Sequence, residues 1–249
     1  MKRILFVGEQ VNSCNMEIKG FDYFFVNNYK EDGVALYSAL TEAGLQVDWL
    51  KTNLVPKYFP ETYKELSEYD VIILSDVGSN SLLLHPEMLT NSIARPNRLK
   101  LLKEYVEHGG GLIMIGGWMS FAGIDGKAKY HGTLAEEILP VTCFPHDDRI
   151  ECPEGIVPVI SNPKHPILKD VDPDWPYFLG YNKVKVKEKA EAILSFNNDP
   201  LLCVWEYGKG KTAAFTSDCA PHWGSQKFIN WSDYNKFWIN VINWLSRNN

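Results

Sequence analysis

The chain holds 249 residues, 45% apolar and 22% charged, with 25 Lys+Arg against 31 Asp+Glu for a net charge of −6. That is enough apolar material for one large α/β domain, or a domain with an insertion, to bury a core without metals or disulfides. The mildly acidic balance and the lack of a dense Lys/Arg run exclude general binding to a phosphate backbone, so no nucleic-acid partner is expected.

Met1-Lys2-Arg3 opens like a secretory leader, but the apolar run Ile4 to Val7 is too short for one. It suits a buried first strand closed by Gly8-Glu9. Residues 10–32 read as irregular and polar-aromatic. Val34 to Ala43 reads as a helix with Leu36, Leu40 and Ala43 apolar and Gly44 as its stop. Val47 to Leu50 is a second strand, Tyr63 to Tyr69 a short helix, Val71 to Leu74 a third strand and Ser75 to Ser81 a turn. After Pro96, the spacing of Leu99, Leu102 and Val106 predicts a helix ended by Gly109-Gly110-Gly111. Leu112 to Ile115 is the fourth strand. This alternation predicts a flavodoxin-like α/β fold: an open parallel sheet with helices on both faces.

In the second half, Thr133 to Leu139 reads as a short helix, and residues 140–182 as an irregular, proline-rich excursion. Lys183 to Lys189 alternates charge with Val184 and Val186, a strand with one solvated face. Ala192 to Phe196, Leu201 to Glu206 and Thr212 to Thr216 read as additional antiparallel strands, the last two joined by Gly208-Lys209-Gly210. A final helix begins near Ser232-Asp233, with Tyr234, Trp238, Val241 and Leu245 on one face. With no internal repeat, residues 1–249 read as a single domain.

The five cysteines, Cys14, Cys143, Cys152, Cys203 and Cys219, are odd in number and form no CxxC pair. That excludes a zinc ribbon or a thioredoxin-type motif and suits a reducing compartment. No apolar stretch approaches the length of a membrane span. A cytoplasmic protein without membrane contact is expected. The histidines are scattered, without HxH or HxxxH, so no metal site is expected. Gly8-Glu9-Gln10-Val11-Asn12 lacks the GxGxxG of a dinucleotide site, the P-loop pattern is absent, and no cofactor is expected.

Ligands of open parallel sheets bind beyond the carboxyl ends of the strands. The residues there are Glu9 after the first strand, Asp76, Ser79 and Asn80 after the third, Trp118, Ser120 and Asp125 after the fourth, and Asp218, Cys219, His222 and Trp223 after the last. A small-molecule ligand at this rim is the expected partner, and symmetric homo-oligomers are common at this size.

Two stretches, Asp70 to Ser79 and Leu112 to Ser120, resemble the class I glutamine amidotransferase-like superfamily. The first is similar to the strand and turn that line its oxyanion site, the second to the strand and elbow that present its nucleophile. The family's elbow reads Gly-x-Cys-x-Gly; here it reads Gly116-Gly117-Trp118-Met119-Ser120. Trp118 falls where cysteine belongs, and Ser120 where the second glycine belongs. The resemblance is closest to an uncharacterised amidotransferase-like group with Gly-Gly-aromatic-Met-Ser-Phe followed by Gly123-Ile124-Asp125-Gly126. It implies the fold, while an indole supplies none of the nucleophilicity that glutamine hydrolysis needs.

Each candidate carries a plainer reading beside the functional one. Cys219 is either a replacement thiol or a small packed hydrophobe. Ser120 is a ligand contact or a turn former. His222 is a base oriented by Asp218, or a histidine satisfied by local backbone. Asp76 and Asp125 bind ligand or cap turns. Trp118 and Trp223 stack on a flat ligand or on each other. Two functions follow: a ligand-binding protein without glutaminase activity, or a hydrolase or carbohydrate-processing enzyme that uses His222 with a carboxylate.

Overall fold

β1 (Arg3–Gly8) buries Ile4, Leu5, Phe6 and Val7 on both of its faces, as a central parallel strand must. The computed structural model describes residues 1–246. After β1 the chain makes a hairpin, β2 (Gln10–Lys19) and β3 (Asp22–Glu31), and then α1 (Val34–Glu42) and β4 (Gln46–Leu50). Next come α2 (Val55–Tyr58), α3 (Tyr63–Leu66), β5 (Val71–Ser75), α4 (Ser79–Leu83) and α5 (Pro86–Asn91). Thr62 and Glu65 form a capping box on α3, and Asn97 caps α6 (Arg98–Glu107). β6 (Gly111–Ile115) and α7 (Leu134–Ile138) follow.

Then come β7 (Val141–Cys143), β8 (Arg149–Ile156), β9 (Val159–Ile160), β10 (Phe178–Asn182) and β11 (Val184–Val186). The chain closes with β12 (Glu191–Phe196), β13 (Asp199–Tyr207), β14 (Gly210–Phe215), α8 (Gln226–Ile229) and α9 (Tyr234–Leu245).

The central sheet runs β4-β1-β5-β6-β14-β13-β12-β9. The first five of these are mutually parallel; β13, β12 and β9 extend the sheet antiparallel. In order of appearance the parallel strands are arranged 2-1-3-4-5, the flavodoxin-like order, with its switch point between β1 and β5. Alternate residues feed two cores. Ile4, Phe6, Ile73 and Ile113 pack under Leu36 and Leu40 of α1 and Trp238 and Val241 of α9. Leu5, Val7, Ile72, Leu74 and Leu112 face Leu66 of α3 and Leu102 and Val106 of α6. Each such side chain contributes about 1.5–3 kcal/mol by leaving water.

Two stretches depart from the sequence expectation. Residues 10–32 are not irregular but a regular antiparallel hairpin, Gln10↔Glu31 through Lys19↔Asp22, turned by the two residues Gly20-Phe21 with Gly20 at φ +64°. Residues 140–182 contain real strands: β7 pairs with β11 and β8 with β10, in two small antiparallel sheets. Pro140, Pro145, Pro158 and Pro176 fall between these strands, while Pro153 lies within β8, in the stretch between Glu151 and Ile156 where the register with β10 shifts. Among the described residues, no helix is long and apolar enough to cross a membrane.

Candidate functional site at the strand ends

β1 must pass close to β5 at its end. Gly8 lies at φ +113°, and a Cβ there would sit 1.7 Å from the Ser75 carbonyl oxygen, so only glycine fits. The next residue, Glu9, is held at φ 54°, and Asp76, directly after β5, at φ 46°. Such non-glycine residues cost about 1–3 kcal/mol each and concentrate where geometry serves a site. Both lie at the switch point. They line a cavity of about 290 Å³ with Val11, Lys30, Asp32, Trp118, Asp218, Pro221 and His222.

Behind this cavity lies a buried polar cluster. Ser75 Oγ donates to Glu9 Oε1 at 2.5 Å and lies 3.6 Å from Cys219 Sγ. Asp218 accepts the Ala220 N–H at 2.9 Å. Burial, and then the charge of Asp76, pushes Glu9 up to about 8. Burial raises Asp76 as well. Asp218 stands well above the carboxylate range through burial and the charges of Glu9 and Asp76. Burial, helped by Glu9 and Asp218, likewise holds the Cys219 thiol protonated. Glu9, Asp218 and Cys219 bring one ligand atom each within 4.8 Å of the others, so among the described residues this is the set that could share a metal ion. As it stands, it is held toward its protonated, weakly ligating form.

The turn after β6 is clamped from two sides. Asp76 Oδ1 accepts the Met119 N–H at 2.6 Å, and Asp76 N donates to Ser120 Oγ at 3.1 Å. Ser120 Oγ in turn donates to the Ile115 carbonyl at 2.5 Å. Gly117, at φ +147°, donates its N–H to Asn182 Oδ1 at 3.0 Å; a Cβ there would meet Asp76 Oδ1 at 2.7 Å. Asn182 is fixed by Asp148, which also accepts the Ala122 and Gly123 N–H groups.

Trp118 leaves this turn with its ring at the cavity mouth, 42% exposed. The edge of His222 meets it at 5.1 Å, and the Arg149 guanidinium covers it at 4.9 Å. His222, at φ 135°, stacks on the buried Trp223. Its Nε2 lies 3.5 Å from Glu151 Oε2, and the same oxygen accepts Trp223 Nε1–H at 2.9 Å. The carboxylate in ion-pair range of His222 is therefore Glu151, where the sequence suggested Asp218. Asp218 turns inward toward Glu9.

Of the sequence-derived candidates, Glu9, Asp76, Trp118, Asp218 and His222 share the cavity. Cys219 lies directly behind it, 1% exposed. Ser120 serves Asp76 as a turn former. Trp223 is packed beneath His222. The others lie apart: Ser79 donates to the Lys129 carbonyl, Asn80 lies in the first turn of α4, and Asp125 pairs with Lys127 on the surface. Sequence reasoning missed Asp32, Lys30, Glu151, Arg149, Asp148 and Asn182. All six come from the hairpin or from 140–182, the stretches read as irregular. The Gly20-Phe21 turn before the aromatic run Tyr23-Phe24-Phe25 was the one local signal for the hairpin.

The family described as "Putative glutamine amidotransferase" matches residues 3–247. The chain belongs to this family. Two solved members are similar to this amidotransferase-like chain throughout. One is cytoplasmic protein STM3548 of Salmonella typhimurium, 43% identical with a TM-score of 0.95, covering 98% of this chain and 99% of that one. The other is cytoplasmic protein STM1381 of Salmonella typhimurium LT2, 41% identical with a TM-score of 0.94, covering 98% and 100%. A ThuA-like protein of Parabacteroides merdae shares the fold alone, at 11% identity and a TM-score of 0.58 over 98% of this chain and 89% of that one. No curated protein matches the chain. In this amidotransferase-like chain, the turn after β6 carries Trp118, and the N–H of the next residue, Met119, is taken by Asp76.

Proposed function

We propose that the protein binds a small ligand at the switch-point cavity and does not hydrolyse glutamine. The observation that carries the reading is the bond from Met119 N–H to the Asp76 carboxylate. At an acyl-transfer elbow, the residue after the nucleophile offers its N–H to the developing oxyanion. Here a side-chain carboxylate already fills that place, the preceding side chain is an indole, and Cys219 is buried and protonated. The cavity wall offers Glu9, Asp32, Asp76 and Asp218 against Lys30, itself paired with Asp32, and His222. Carboxyl groups beside an exposed indole suit a ligand that donates hydrogen bonds, a protonated amine or a polyol. The description of both Salmonella relatives as cytoplasmic supports a cytoplasmic location.

Thermal-shift panels of small amines, polyols and carboxylates test this reading. Amines or polyols at about 100 times Kd should raise the melting temperature by roughly 5–10 °C, and Asp76→Asn should abolish the shift. A response to carboxylates alone, or the same response in Asp76→Asn, would contradict it.

One observation favours a second reading, a hydrolase or carbohydrate-processing enzyme. His222 stands beside Glu151 and lines the same cavity as Glu9, whose pKa burial raises to about 8. Turnover of nitrophenyl esters or glycosides that is lost in His222→Ala would establish it; no turnover in the wild type would remove it.

A further inference from the structure

The β2–β3 hairpin leaves the domain beside the cavity, and from Val11 to Lys30 every residue except the half-buried Val26 is exposed. A two-stranded ribbon of this kind is marginal alone in water. Its two faces differ. Paired residues share a face, so Asn12↔Tyr29, Cys14↔Asn27, Met16↔Phe25 and Ile18↔Tyr23 line one side. This side carries Met16, Ile18, Tyr23, Phe25 and Tyr29, exposed by 55 to 71%, and Tyr23 already packs edge-on against Phe25. The opposite side carries Val11, Phe24 and Val26 among Ser13, Asn15, Glu17, Lys19, Asp22, Asn28 and Lys30, and is the more polar one. An alternating ribbon with one apolar face is the pattern of a sheet covered on that face.

We propose that the apolar hairpin face is an isologous interface, covered by the same face of a second copy of this chain. Two observations choose this occupant. The five side chains, with Phe21 fully exposed at the tip, offer on the order of 800 Å², the area that each partner of a standard-size interface contributes. The face from Asn12 to Ile18 and from Tyr23 to Tyr29 also carries no charged residue, in a chain of net charge −6. Two copies can therefore meet there about a two-fold axis without like-charge repulsion. The hairpin root supplies Val11 and Lys30 to the cavity, so pairing would also steady one cavity wall.

Sedimentation velocity at micromolar concentration tests the proposal. The wild type should sediment at twice the chain mass. Met16→Glu/Phe25→Glu should raise the dissociation constant at least about 100-fold, giving a monomer. Its far-UV spectrum should remain that of a folded chain, because the hairpin lies outside both cores, while its urea midpoint should lose the dependence on protein concentration that a dimer shows. Ser13→Glu/Asn28→Glu, on the polar face, should leave the dimer intact. A monomeric wild type, a dimer that survives the first pair of charges, or equal disruption by the second pair would overturn the proposal. So would a monomer that co-sediments with phosphatidylcholine vesicles, which would assign the face to lipid.

Discussion

The Asp76 carboxylate accepts the backbone N–H of Met119 at 2.6 Å, so the residue after Trp118 has already given its donor to the protein. Placing a thiol at Trp118 should therefore not create glutaminase chemistry. Trp118→Cys is expected to release ammonia from glutamine no faster than the wild type, because a missing oxyanion donor alone costs about 10²–10³ in rate. Coupled ammonia assays check this, and a gain of more than about tenfold would refute it.

The buried acids set a pH dependence of stability. Glu9 rises from 4.5 to about 8 on folding, so the folded state holds its proton where the unfolded state has lost it. The stabilisation is full below about pH 4.5 and is lost as pH rises through about 8; Asp76 and Asp218 act in the same direction. Urea midpoints should fall between pH 5 and pH 9. Glu9→Gln, which keeps an acceptor for Ser75, should flatten that fall by on the order of a few kcal/mol. An equal slope in the variant would contradict the assignment.

Asp148 supports the turn after β6 through Asn182 and the backbone of Ala122 and Gly123. It is 3% exposed and satisfies Ala122 N, Gly123 N and Asn182 Nδ2. Asp148→Ala leaves three buried donors without their acceptor and should cost about 3 kcal/mol or more in urea unfolding. It should also weaken the ligand-dependent thermal shift, since Asn182 holds Gly117.

Gly8 allows the switch point to close. Gly8→Ala brings a methyl group to 1.7 Å from a backbone oxygen at φ +113°. A loss of more than about 4 kcal/mol, or failure to yield folded protein, is expected. A variant with wild-type melting temperature would show that β1 and β5 can separate there.

The parallel core was legible because Ile4 to Val7, Val71 to Leu74 and Leu112 to Ile115 are uninterrupted apolar runs, which a strand buried on both faces requires. The rim positions followed from where those runs stop. The hairpin was not legible, because Phe24 and Val26 sit on its polar side and blur the alternation. Glu151 could not be read as the partner of His222, since it arrives from β8, paired with a strand further along the chain. The inward turn of Asp218 depends on its bond to Ala220 N, a local geometry that sequence spacing does not encode.

The claim that this elbow has no glutaminase chemistry is tested most directly by assaying ammonia release from glutamine with the purified chain, wild type beside Cys219→Ala. The account predicts release indistinguishable from the protein-free blank in both. Steady release by the wild type that disappears in Cys219→Ala would contradict it.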